Sequence, residues 1–143
     1  KVETDNNLKC YFVNNSGLAP DDSRSNHFVY DESILAGYLS LAYEHKGTSI
    51  KGGLRVEHTS SNGNSITMNK VVDRSYVDFF PAFFVQQKLN ENNSIGLNYN
   101  RRIDRPQYQR LNPFRFYIAE YSFLKGNPFL RPQYTNNISV NYS

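Results

Sequence analysis

The chain has 143 residues, with 16 Lys and Arg against 13 Asp and Glu for a net charge of +3, and it is rich in Tyr (11) and Phe (10) with no Trp. The length suffices for one domain, and the near balance of charges mixed along the chain excludes strong electrostatic steering of the whole molecule. The single cysteine, Cys10, excludes an internal disulfide framework and offers no partner for a cysteine-based zinc site.

Lys1 opens into polar sequence without the basic, apolar and small-residue order of a signal peptide. No apolar run approaches the roughly 18 to 20 residues of a spanning helix. That leaves membrane strands open, because a barrel strand needs only about 9 to 11 residues with one apolar face and keeps mean hydropathy low.

In chain order, an opening strand is expected between Val2 and Val13. From Ile34 to Glu44, Leu35, Gly37, Leu39, Leu41 and Tyr43 alternate with Ala36, Tyr38, Ser40, Ala42 and Glu44. From Ser49 to Thr59, Ile50, Gly52, Leu54 and Val56 alternate with Lys51, Gly53, Arg55 and Glu57. Period two sets these groups on opposite faces, and the His45–Thr48 interval between the segments predicts a hairpin. Tyr76–Leu89 is apolar on both faces around Phe79, Phe80, Phe83 and Phe84, and Pro81, which has no N–H, predicts a bulge or local irregularity. Two further strands complete the pattern: Ser94–Ile103, with Ile95, Leu97 and Tyr99 on one face, and a final one with Ile138, Val140 and Tyr142. No stretch sustains a 3.6-residue apolar stripe, so helix is not expected.

The connections alternate between two kinds. Asn14–Tyr30, Ser60–Ser75 and Arg105–Gln133 read as long, His45–Thr48 and Asn90–Asn93 as short. Alternation of this kind is what a transmembrane barrel produces, with short turns on the periplasmic side and long loops outside. The fold class expected is therefore all-β: antiparallel amphipathic strands and hairpins from a transmembrane barrel. About six strands are read, too few to close alone. Lys51, Arg55, Glu57, Asn98 and Asn100 would face a watery lumen, although the polar face of a half-solvated soluble sheet looks the same.

Several strings resemble the TonB-dependent receptor family of outer-membrane β-barrels: YDESILAGYLSL from Tyr30, GLRVEHT from Gly53, DFFPAF from Asp78, NYNRRIDRPQYQRLNPF from Asn98 and GNPFLRPQYTNNISVNYS from Gly126. The resemblance implies a location in the cell outer membrane of a Gram-negative cell. It also implies contact with outer-membrane lipid, import of a nutrient ligand of unknown identity, and energy coupled through the TonB complex by other parts of the receptor. Neither a plug domain nor a TonB-contacting segment is recognised, so residues 1–143 read as a partial barrel domain. Isolated, such a piece has two open edges and an apolar face containing Leu39, Leu41, Leu54 and Val56, so it is expected to self-associate or curl into a sandwich. Light scattering that finds a monomer with those side chains in solvent defeats this expectation.

The best binding candidates lie between Arg101 and Pro132, where Arg101, Arg102, Arg105, Arg110 and Arg115 interleave with Tyr108 and Tyr117. Guanidinium forks take phosphate or carboxylate, and aromatic faces stack on rings. The mixture can imitate a nucleic-acid site, but in a barrel it belongs to the outer rim, and no nucleic-acid partner is expected. The structural alternative is that Pro106, Pro113, Pro128 and Pro132, with Asn112 and Asn127, rigidify a loop whose aromatics pack it down.

His27, His45 and His58 lack paired ligand spacing, so no metal is expected. Asp21 and Asp22 beside Pro20 read as a solvated turn, and Asn62–Gly63 as a turn signal. Glu44 and Glu57 could face one another across the first hairpin, which by itself establishes no hydrolytic chemistry. No phosphate loop or catalytic triad is recognisable, so no cofactor, no catalytic residue and no enzymatic activity are expected. The competing reading is a soluble or surface-displayed β-sandwich that binds carbohydrate through exposed aromatics.

Overall fold

The computed structural model describes residues 1–119 and 121–143. Its elements are β1 (Val2–Leu8), β2 (Tyr11–Asn14), β3 (Gly17–Pro20), β4 (Asn26–His45), β5 (Thr48–Ser65), β6 (Lys70–Lys88), β7 (Ser94–Asp104), α1 (Tyr108–Leu111), β8 (Arg115–Ala119), β9 (Ser122–Lys125) and β10 (Gln133–Tyr142). Six strands form one sheet in the order β1-β4-β5-β6-β7-β10, and the β2-β3 and β8-β9 hairpins form two small sheets. The fold is all-β and antiparallel, as the alternation predicts.

Three boundaries differ from the sequence reading. The opening strand is two: β1 pairs with β4, while β2 turns back on β3. The long connections Asn14–Tyr30 and Ser60–Ser75 are largely strand, because β4, β5 and β6 run for 20, 18 and 19 residues. What remains of the second is a four-residue turn, 66–69, in which Asn69 takes φ +48°. Asn tolerates that left-handed conformation better than other non-glycine residues. The Asn62–Gly63 pair, read as a turn, lies inside β5. There Gly63 leaves room for the ring of Phe28, whose Cζ would sit 3.4 Å from a Cβ at that position, and Asn62 donates its amide to Asp73.

The short turns are where the sequence sets them. Lys46 and Gly47 both take positive φ, +44° and +81°, the requirement of a two-residue type I′ hairpin turn. At 89–93, Asn90 Oδ1 accepts from the Asn92 N–H at 3.0 Å and from Asn93 Nδ2 at 2.9 Å.

By contact density the chain divides into two compact units: residues 1–34, 59–75 and 106–131, and residues 35–58, 76–105 and 132–143. In the second unit the registers align like residues. Phe83 pairs Tyr99, which pairs Ile138, and Val85 pairs Leu97, which pairs Val140; on the opposite face Phe84 meets Asn98 and Ser139. Directly paired residues share a face, so one face is apolar across three strands while the other mixes Phe84 with polar side chains. The apolar face is outermost: Leu35 is 75% and Ile138 72% exposed, whereas Glu57 is only 5% exposed. A β-sandwich would bury that apolar face against a second sheet; here it is free to meet lipid. From Leu35 to Tyr43 the outward row extends about 26 Å at about 3.3 Å per residue, close to the roughly 25 Å apolar band of outer-membrane barrels.

The first unit holds the polar parts of the same long strands together with the β7–β10 connection. Its buried residues include Phe28 and Phe114, with the polar Asn26, Thr59, Ser65 and Asn112.

Pro81 does mark an irregularity. The assigned strand runs through it, but the β6–β7 register begins at Ala82, paired with Asn100. A continuous register would set Asp78 and Tyr134 on opposite faces, yet the Tyr134 hydroxyl donates to Asp78 at 2.8 Å. The phase between β6 and the β7–β10 pair therefore changes past Ala82, next to the residue that has no N–H to give the ladder.

Candidate functional site

Two clusters organise the polar interior, one in each unit. In the 35–58, 76–105 and 132–143 unit the centre is Glu57. Its alternation on β5 turns it away from Leu54 and Val56, and it accepts from Arg105 Nη2 at 2.6 Å and pairs with Arg55 Nη2 at 3.0 Å. Arg55 also lies over the Phe80 ring, 5.1 Å from its centroid. Beside this triad, Asp78 takes the Tyr134 hydroxyl, and Arg101 lies 4.7 Å above the Tyr134 ring. Partial burial disfavours the Arg105 charge, but hydrogen bonds to Glu57 and the Tyr76 side chain outweigh it and raise its pKa above the usual arginine value. Glu57 thus holds two guanidinium groups, while Asp78 and Arg101 meet at the side chain of Tyr134.

Glu44 does not join Glu57. It accepts a hydrogen bond from Ser49 Oγ at 3.3 Å, while Glu57 is committed to the two arginines.

In the other unit the long connection, expected as one loop, is built from α1, β8 and β9. Asn112 and Asn127 act as the sequence suggests: Asn112 Oδ1 accepts the Phe114 N–H at 3.1 Å and Asn127 Oδ1 the Phe129 N–H at 2.9 Å. Arg74 of β6 donates to the carbonyls of Pro128 and Leu130, which ties the returning segment down. Phe114 and Phe116 meet edge to face at 5.2 Å. At the other end of this unit, Asp21 accepts from Ser23 Oγ at 2.5 Å and from the N–H groups of Ser23 and Arg24. The Ser23 hydroxyl is the main cause of its lowered pKa.

The seven candidates from the sequence divide between the units. Arg101 and Arg105 belong to the Glu57–Asp78 network, and Arg102, paired with Thr135 in the ladder, is exposed. Tyr108 is half-buried on α1, Arg110 is exposed and lends its carbonyl to the Asn127 N–H at 2.7 Å, Arg115 lies 5.1 Å over Phe123, and Tyr117 lies 5.6 Å under Arg24. Arg115 and Tyr117 are thus partnered by packing within the β8–β9 hairpin and its surroundings. Sequence reading missed Asp78 and Arg74, whose importance depends on partners tens of residues away. Among the described residues no group of His, Cys, Asp and Glu could hold a metal ion.

A wall of long antiparallel strands with apolar side chains outward and ion pairs inward defines the class as an outer-membrane β-barrel protein. The model of the outer membrane protein beta-barrel family matches residues 1–143, and the chain belongs to that family. Its location is accordingly the outer membrane. No curated protein and no solved structure matches the chain.

Proposed function

We propose that this chain forms wall and external surface of an outer-membrane receptor that imports a nutrient ligand in the TonB-dependent manner and carries out no catalysis. One observation carries the reading: β4, β5 and β6 are 18 to 20 residues long, about twice what a membrane crossing needs. The surplus is polar and folded, with Asn62 joined to Asp73 and Arg74 fastening the long connection. Structured polar surface of this kind is what a receptor uses to meet its ligand. The two-residue turn at Lys46–Gly47 and the 89–93 turn are periplasmic in this orientation, and the 106–131 segment is external. The outward row of Leu, Ile and Val meets lipid, and other parts of the receptor engage TonB.

Uptake by whole cells tests the reading. Loss of uptake of one iron chelate, cobalamin or glycan on deleting the gene, and equally on deleting TonB, supports it; uptake that survives TonB deletion overturns it. Arg102 is exposed, while Arg105 is committed to Glu57, which supports Arg102 over Arg105 as a contact for an anionic ligand. Arg102→Glu is expected to weaken uptake of an anionic ligand by about tenfold, the scale of one charge-assisted hydrogen bond. Unchanged uptake with normal insertion removes Arg102 from the ligand path.

A further inference from the structure

We infer that the exposed face of the β8–β9 hairpin is a binding site for a phosphate monoester, held by Arg115 and Lys125 from opposite strands. In the register of this hairpin Arg115 pairs Lys125 and Tyr117 pairs Phe123, so these four side chains share one face. Phe116, between Arg115 and Tyr117 on β8, is half-buried and meets the buried Phe114 edge to face. The face with the two cations is therefore turned outward, and both Arg115 and Lys125 are exposed.

Like charges set directly opposite in a ladder, with Cβ atoms about 5 Å apart, weaken the pairing. Among the described residues neither Arg115 nor Lys125 has a carboxylate partner, so the repulsion is left for an anion from outside to relieve. The site is also held in place before any ligand arrives. The Arg115 guanidinium lies 5.1 Å over the Phe123 ring, a stacking that steadies its plane and leaves its in-plane N–H donors unused. Asn112 pins both strands at this end of the hairpin: its Oδ1 accepts the Phe114 N–H at 3.1 Å, and its carbonyl accepts the Gly126 N–H at 3.0 Å. Groups fixed in advance lose little freedom on binding.

The chemistry of the face selects the ligand. A phosphate monoester carries about two negative charges at neutral pH and several acceptor oxygens, which answers a guanidinium fork and an ammonium together. A carboxylate leaves one of the two cations uncompensated. Arg24, the third cation near this face, lies 5.6 Å over Tyr117 but shares its charge with Asp21 at 3.7 Å, so the charge to be balanced is that of Arg115 and Lys125. Beside them Tyr117 and Phe123, each 47% exposed and with ring centroids 6.0 Å apart, offer apolar surface to the carbon skeleton of an ester. Inorganic phosphate has nothing to place there. Binding requires neither TonB nor transport, so the site stands apart from the import reading.

The test uses full-length protein purified in an amine-oxide detergent, which carries no phosphate. Titration calorimetry is run at one ionic strength with phenyl phosphate, inorganic phosphate and benzoate, and with diphosphorylated lipid A in mixed micelles. Phenyl phosphate or lipid A is expected to bind about tenfold more tightly than inorganic phosphate or benzoate, the scale of one charge-assisted contact or one apolar ring. Binding of phenyl phosphate assigns a soluble ester, and binding of lipid A alone assigns a membrane glycolipid; both carry the phosphate chemistry inferred. Arg115→Gln and Lys125→Gln are each expected to lower the affinity about tenfold and Phe123→Leu several-fold, while Arg115→Lys, which keeps the charge without the fork, restores only part. Heat-modifiable migration on a gel reports whether each variant still folds, and Lys125→Gln decides the question if Arg115→Gln does not. Failure of both phenyl phosphate and lipid A to bind overturns the proposal. So does benzoate binding as tightly as phenyl phosphate, or binding that the folded variants leave unchanged.

Discussion

Replacing Arg105 with alanine is expected to destabilise the barrel by about 3 kcal/mol, because it leaves the Glu57 carboxylate buried with one partner instead of two. The magnitude comes from burial. The Glu57 side chain is 7% and that of Arg105 22% exposed, so their 2.6 Å contact is little screened, whereas Arg55 at 49% exposure keeps much of its hydration. Arg55→Ala is therefore expected to cost less than about 1 kcal/mol, as exposed ion pairs do. The decisive measurement is a double-mutant cycle with Glu57→Ala and Arg105→Ala, read from urea unfolding of the full-length protein in lipid vesicles. A coupling of about 2 kcal/mol is expected, since each residue loses its shortest ion pair once the other is gone. Additive losses, or an Arg105→Ala protein within about 0.5 kcal/mol of wild type, would show that the network contributes no stability.

Gly126→Ala is expected to break the fold of the β7–β10 connection. A Cβ at this position would lie 2.5 Å from the Arg110 carbonyl oxygen and 2.8 Å from its carbon, and it would also run into the Asn112 carbonyl oxygen. All three are backbone atoms, so no rotamer change relieves the overlap and the backbone at Arg110–Asn112 must move away from Gly126. Separation removes the Gly126 N–H bond to the Asn112 carbonyl at 3.0 Å and the Asn127 N–H bond to the Arg110 carbonyl at 2.7 Å. Two hydrogen bonds at about 1 kcal/mol each, with overpacking strain added, give about 3 kcal/mol of local destabilisation. Hydrogen exchange at the Gly126 and Asn127 amides should accelerate by about a hundredfold, while Gly37→Ala, where a Cβ meets nothing within 4 Å, should leave exchange unchanged. Equal behaviour of the two variants would refute the close approach at Gly126.

The packing of the connection explains why the arginine and aromatic residues between Arg101 and Pro132 look alike in sequence and behave differently in the fold. Arg101 and Arg105 are drawn into the Glu57–Asp78 network, and Arg115 lies on Phe123. Arg102 is left exposed beside them. Residue type and spacing identify a segment capable of binding anions, but the choice between an ion pair and a free guanidinium depends on carboxylates that come from β5 and β6. Arg105 and Glu57 are 48 residues apart in the chain. No local rule connects them.

By itself the sequence determined the alternation of side chains and its direct consequences. Period two at Leu35–Tyr43, Ile50–Val56, Ile95–Tyr99 and Ile138–Tyr142 is a local property of a pleated backbone. It established the all-β class, the apolar outer face and the tight turn at Lys46–Gly47 without knowledge of partners. Pro81 likewise announced its irregularity, because a missing N–H is a property of one residue. Strand ends were not legible in the same way. β5 continues through the polar run 59–65 and the Asn62–Gly63 pair because β6 supplies Asp73 and β4 supplies Phe28, which fills the space above Gly63. The tertiary structure alone decided that the Asn–Gly turn signal became a packing site. It also decided that Glu57 found two arginines rather than Glu44. In each case the outcome is a pairing between side chains far apart in sequence, whose free energy exists only once the sheet has brought them together.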